Sequence, residues 1–261
     1  VQRSRMPRRP RYQQPGVPLH VMGRGCRGQP IFGTDADREH FLVLLGHVAE
    51  EFGWTVFDWV LMTNHHHLVL QLEEPNLSLG MHRLHFMFGQ RWNERAESTG
   101  HVFFRRYTSV PLFRRAASEA VMRYVDLNPV RAGLCANPGD WRWGGYRAII
   151  GLDEPRRFHA AEAGLREAIG GTDSLEAARW RYARKVAFGL PAMRGCGSPS
   201  DTRPSLAEVL VPGNLESIRE AIDVWGYALR DIGSHIGCSH VTVQRWLNGD
   251  REPRAWTPNG R

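Results

Sequence analysis

The chain has 261 residues, 42% of them hydrophobic and 10% aromatic, which suffices for one sizeable domain with a small one beside it and excludes wholesale disorder. It carries 34 Lys and Arg against 27 Asp and Glu, a net charge of +7, and Lys185 is the single lysine, so the charge is arginine and favours a phosphate-rich partner. The four cysteines are scattered with no CxxC pair, which argues against a zinc ribbon or disulfide framework, and no apolar run is long enough to span a membrane.

Residues 1–14 hold Arg8, Arg9 and Arg11 and lack the apolar stretch of a signal peptide, so they read as a flexible basic arm. A cytoplasmic, nucleoid-associated protein is expected. Leu19 to Met22 reads as a short strand closed by Gly23-Arg24-Gly25. Thr34 followed by Asp37 resembles a capping box, and Phe41, Leu44, Leu45 and Val48 continue at helical spacing to about Phe52. Trp54 to Met62 is rich in aromatic and β-branched residues. With His65 to Leu72 it forms a hairpin across Thr63-Asn64. A second helix is expected from Leu77 to about Glu97, a strand around Tyr107 to Phe113, and a third helix from Ala116 to Asn128. Pro129 should end that helix, because proline disfavours helical backbone in the residue before it. The order predicts an α+β domain over 15–151, with an antiparallel sheet and helices on one side. Residues 152–204 read as a connector with a helical stretch near Leu175 to Phe188 and a Gly/Ser/Pro linker at 195–200. Residues 205–261 turn helical again.

Alternate side chains of a strand share a face, so His65 and His67 project together while His66 points away. Two imidazoles on one strand can chelate a divalent ion, although a His-x-His pair by itself is as readily a polar surface patch. On the third helix Tyr124 and Asn128 are four apart and stack on one face. Asn128 can supply an amide-oxygen ligand, and Tyr124 can attack a phosphodiester beside the ion. No carboxylate-rich cluster accompanies the histidines, which disfavours a water-using hydrolase. A tyrosine nucleophile conserves the bond energy of the broken phosphodiester and so points to strand transfer.

The motifs Leu19-His20-Val21 with Arg24-Gly25, Val60 to Leu68, Gly100-His101-Val102-Phe103, and Tyr124 to Leu134 together resemble the REP-associated tyrosine transposases. These are single-tyrosine members of the His-hydrophobe-His insertion-sequence superfamily. The resemblance implies a ferredoxin-like fold, a Mg²⁺ or Mn²⁺ ion held by His65, His67 and Asn128, nucleophilic attack by Tyr124, and single-stranded DNA hairpins as substrate. By the same resemblance Arg8, Arg9 and Arg11 of the arm are expected at DNA, and Arg24, Arg105, Arg106 and Arg131 are further candidates for DNA contact. Departures stand at His66, where a hydrophobic residue is usual, at Thr63, and at Phe104-Arg105-Arg106.

From Leu229 onward the pattern resembles a helix-turn-helix: Ile232, Ile236, Val243 and Trp246 form an interior face, Gly233 permits close packing and Gly237 makes the turn. His240, Thr242, Gln244 and Arg245 would face duplex DNA from the second helix. A preceding helix is expected at Leu215 to Trp225. Monomer and homodimer both remain open. The alternative to an active nuclease is a sequence-specific DNA-binding protein with an inactive transposase-like domain.

Overall fold

The computed structural model describes residues 12–171, 174–188, 190, 206–210, 215, 217–218, 221 and 229–248. Residues 1–11 of the expected arm, with Arg8, Arg9 and Arg11, the linker at 195–200 and most of the helix expected at Leu215 to Trp225 lie outside them. The first half is a βαββαβ unit: β1 (Leu19–Arg24), α1 (Asp35–Glu51), β2 (Trp54–Leu61), β3 (His65–Leu72), α2 (Leu77–Arg95) and β4 (Thr108–Pro111). The strands form one antiparallel sheet in the order β2-β3-β1-β4, the ferredoxin-like arrangement.

Local chemistry sets the boundaries. Thr34 Oγ1 accepts from the Asp37 backbone N–H while Asp37 Oδ2 accepts from the Thr34 backbone N–H, closing the capping box that starts α1. Helices α1 and α2 lie together on one face, where Phe41, Leu45, Val48, Met81, Leu84 and Phe88 pack on Leu19, Val21, Leu68 and Leu70. Each such fully buried side chain contributes about 1.5–3 kcal/mol. In β2 a bulge between Val56 and Asp58 inserts one residue, Phe57, and flips the strand's inward parity. Trp54 and Val56 before it, and Trp59 and Leu61 after it, all face α1 and α2, whereas Phe57 and Val60 face the other side.

That other side is covered as well. Helix α3 (Arg115–Arg131) packs there through Val121, Met122 and Val125 on Val60, Val69 and Val110. After a single helical turn, α4 (Tyr146–Ile149), two helices of the expected connector join it: α5 (Ala161–Ile169) and α6 (Leu175–Phe188). The sequence pattern anticipates α6 but not α5. Helix α5 sits close on the bulge because Gly164 has no side chain: a Cβ there would lie 2.3 Å from the Phe57 carbonyl oxygen.

Helix α3 does not stop at Asn128. It runs to Arg131 with Pro129 inside it. A proline so close to the end forfeits a single hydrogen bond, and the chain recovers the terminal carbonyls beyond it. The Gly133 N–H donates to Val130 and the Leu134 N–H to Pro129, with Gly133 at φ 69, a left-handed cap.

After a single turn, α7 (Leu206–Val209), the last described elements are α8 (Leu229–Ile236) and α9 (His240–Asn248). Ile232, Ile236, Val243 and Trp246 are buried and Gly237 turns at φ 72. A Cβ on Gly233 would lie 2.6 Å from the Cys238 carbonyl oxygen. Among the described residues no helix is long and apolar enough to cross a membrane.

Candidate metal and nucleophile site

Strand parity places His65 and His67 on the α3 face of the sheet, with their rings 5.0 Å apart. Asn128 and Tyr124, one helical turn apart on α3, come down onto them. The Asn128 Nδ2 lies 3.5 Å from His67 Nε2, and the Tyr124 ring stands 5.5 Å from that of His67, edge to face. The four residues expected to act together are therefore brought together, within one chain. Arg131, one turn further on, holds its guanidinium 4.8 Å from the centre of the Tyr124 ring.

The hydrogen bonds behind the histidines decide which nitrogens are free. The His65 Nδ1 lies 2.7 Å from Asn64 Oδ1, which can only accept, so Nδ1 carries the proton and Nε2 keeps its lone pair. His67 Nδ1 lies 2.9 Å from Nε2 of His20, a fully buried residue of β1 on the same face. The Asn128 amide group points its donor nitrogen at His67 Nε2, so His67 is protonated on Nδ1 and donates to His20. Both Nε2 atoms thus present lone pairs towards Asn128. Burial lowers His65 to about 4, against a hydrogen bond with Asn128 that raises it; the positive charge of Arg24 adds a smaller lowering. Burial also holds His67 well below the usual imidazole range, and His20 at about 3. All three are neutral near pH 7, the state a metal requires.

Among the described residues no three His, Cys, Asp or Glu side chains come together as an ion site. If an ion binds at His65 and His67, its third donor would be of another kind. Asn128, only 8% exposed, is the group in position, and a half-turn of its amide presents oxygen to His67. Two neutral imidazoles and an amide oxygen, each imidazole oriented from behind, fit a divalent ion with open positions for phosphate.

His66 points away as expected, but it is no idle residue. It is fully buried between sheet and helices, its Nε2 3.0 Å from Nε2 of His85 on α2, and His85 stacks on Phe103 with ring centres 3.7 Å apart. An imidazole at this core position is accommodated because a second imidazole meets it.

Of the arginines expected at DNA, Arg24 ends β1 directly opposite His65 and is exposed. Arg105 and Arg106 are exposed on the loop before β4. In the C-terminal hairpin His240, Gln244 and Arg245 are exposed on α9, while the Thr242 hydroxyl is 3.0 Å from that of Ser239, whose oxygen caps the helix.

Sequence reasoning gave no role to His20, although it quoted the residue within a motif; its partner lies 47 positions away, and only the sheet register joins them. It also gave none to the buried carboxyl pair under α3. Asp126 accepts from the Tyr182 hydroxyl of α6 at 2.5 Å, and Asp58 follows the bulge of β2. Burial, and for Asp58 also the neighbouring Asp126, pushes Asp58 well up and Asp126 to about 7.

Residues 14–128 match the family described as "Transposase IS200 like". No curated protein matches the chain. One solved structure, described as "Structure of the REP associates tyrosine transposase bound to a REP hairpin", is similar over 65% of this chain and 93% of that one. Its sequence identity is 13% and its TM-score 0.47, too loose a likeness to carry an argument. The family match runs from the residues before β1 to Asn128 and so contains the whole histidine, asparagine and tyrosine constellation; over residues 14–128 the chain is similar to the IS200-like transposases.

Proposed function

We propose that this protein is a transposase-type, metal-dependent nuclease and strand transferase that cuts and rejoins single-stranded DNA beside hairpins through Tyr124. The observation that carries the reading is the convergence of His65, His67, Asn128 and Tyr124 on one face of the sheet. The hairpin substrate is what the resemblance of the motifs to the REP-associated tyrosine transposases implies.

The implied Mg²⁺ or Mn²⁺ would be held by His65 Nε2, His67 Nε2 and the Asn128 amide oxygen, and would supply Lewis-acid polarisation of the scissile phosphate. The chain's own residues do the rest. Tyr124 Oη attacks phosphorus and the bond to the 3′ oxygen breaks, which leaves a 5′-phosphotyrosyl link and a free 3′-hydroxyl. Arg131, over the Tyr124 ring, places positive charge where phenolate and phosphate charge develops. Re-attack by a 3′-hydroxyl regenerates the tyrosine and joins strands without an external energy source.

A second reading has its own observation. The hairpin of α8 and α9, with exposed His240, Gln244 and Arg245, favours duplex binding. In that reading residues 205–261 act as a sequence reader and the tyrosine domain only grips hairpins.

The test is a denaturing gel of labelled single-stranded hairpin DNA incubated with Mn²⁺ and either the native chain or Tyr124→Phe. A covalent protein–DNA band is expected in the first and absent in the second. Cleavage that survives the substitution would mean attack by water. Binding to duplex with no band on any hairpin would give precedence to the second reading.

A further inference from the structure

Beyond the nucleophile and its ligands, the same face of the sheet carries an aromatic residue with no role in the chemistry described so far. The isolated bridge Gly25↔Phe103 is antiparallel, so its register sets Phe104 opposite Arg24, and the Phe104 N–H donates to the Arg24 carbonyl at 2.9 Å. Arg24 in turn is opposite His65. Residues opposite one another on neighbouring strands share a face. His65, Arg24 and Phe104 therefore form one row, with Phe104 two strand spacings, about 10 Å, from the ligand strand. Phe103, one residue earlier, goes to the other face and stacks on His85, as alternation requires.

Phe104 is 56% exposed, and the Arg105 guanidinium lies 4.8 Å from its ring centre. The surroundings are basic: from Ser98 to Ser118 the chain holds Arg105, Arg106, Arg114 and Arg115 and no Asp or Glu. An exposed ring flanked by guanidinium groups has the chemistry of a site for an unpaired nucleobase, whose face stacks on the ring while its phosphates meet the arginines. A paired base inside a duplex has no free face to offer.

We infer that Phe104, backed by Arg105, is a stacking platform for an unpaired base of the DNA strand that runs past Arg24 to the scissile phosphate. The inference rests on the proposed action on single-stranded DNA and adds to it a subsite, separate from the metal and the tyrosine, that fixes the strand's position.

The experiment measures binding of the full chain to a labelled DNA hairpin with thymidine flanks, by fluorescence anisotropy, for the native chain and for Phe104→Ala, Phe104→Leu and Phe104→Trp. Abasic sites are placed one at a time along the flank. Loss of one base stack weakens binding by about five- to hundred-fold, so Phe104→Ala should lose that much, Phe104→Leu nearly as much, and Phe104→Trp little or nothing. A single abasic position should weaken the native chain equally and abolish its advantage over Phe104→Ala. Because the side chain is exposed, unchanged thermal melting is expected of every variant. Native-like binding by Phe104→Ala, full retention by Phe104→Leu, or a loss independent of every abasic position would overturn the subsite. If the native chain binds no unpaired flank at all, the single-strand reading fails together with the subsite; if it binds and Phe104→Ala binds equally, only the subsite fails.

Discussion

At the scale of single residues, the proposed site depends on a histidine that would touch neither the ion nor the substrate. His20 accepts the Nδ1 proton of His67 and stacks on its ring with centres 5.1 Å apart, so it fixes both which nitrogen is free and where it points. Its own Nδ1 has no hydrogen-bond partner, although it is buried. Leaving a buried donor unsatisfied costs about 1–3 kcal/mol, which the fold sustains here beside the proposed ligands. Removing such an orienting partner typically lowers metal affinity 10- to 100-fold, roughly. His20→Ala should therefore weaken Mn²⁺ binding to the intact chain by that order in calorimetry without DNA. His20→Gln, whose amide oxygen can still accept, should recover much of the loss. Equal weakening by both variants, or none by either, would rule out the orienting role. The His-x-His spacing shows from sequence alone that His65 and His67 share a face, because strand parity is local. His20 is hidden there, because its position relative to His67 exists only once β1 has paired with β3 in one particular register.

Among the elements, α3 carries half of the site and is held from beneath by buried carboxyl groups. One Asp58 oxygen takes the backbone N–H of Trp59 at 2.7 Å, and the other is buried without a partner. A proton on Asp58 satisfies that oxygen, and this agrees with the upward shift of both carboxyls. The folded pair keeps a proton that the unfolded chain, near pKa 3.9, gives up. Its stabilisation is therefore full below about pH 4 and is lost as pH rises through about 7, at no more than about 1.4 kcal/mol per pH unit for one proton. Asp58→Asn supplies a permanent donor towards Asp126, so urea unfolding should show a flatter decline between pH 5 and 8 and a gain of roughly 1–2 kcal/mol at pH 8. An unchanged slope would mean that the pair does not share a proton. The same elements mark how far the sequence is legible. Strand β3 and helix α6 match their expected bounds, because apolar period and breakers agree there. The end of α3 does not: proline's local preference is outweighed by a left-handed glycine cap five residues after Asn128 that closes the last turn. Helix α5 escapes notice because its buried face is small, Ala161, Gly164, Leu165 and Ala168, and such a face reads as linker. Those small residues are what let it lie against the bulge of β2, and that bulge has no Gly or Pro to announce it.

For the molecule as a whole, the number of buried neutral imidazoles sets its behaviour in acid. Burial depresses His20 and His85 to about 3 and His65 and His159 to about 4, and holds His66 and His67 well below the usual imidazole range. Each of the six would titrate near 6.5 in the unfolded chain. A depressed folded value means that the stabilisation is present above pH 6.5 and lost as pH falls towards the folded value. At pH 5.5 an ordinary imidazole is about nine-tenths protonated, so each group takes up nearly one proton on unfolding and contributes roughly 1.2 kcal/mol per pH unit. Six such groups amount to about 7 kcal/mol per unit. The whole stability of a domain is on the order of 5–15 kcal/mol. The fold should therefore hold near neutrality and collapse within about two pH units below 6.5, while the Asp58–Asp126 pair draws it down more gently on the alkaline side. Urea midpoints followed by circular dichroism at pH 7, 6 and 5 measure this directly. The steep decline expected corresponds to several protons bound on unfolding; a shallow slope of a single proton would mean that most of these imidazoles are hydrated and charged in the native state, and that the dry, neutral ligand face argued for His65 and His67 does not exist.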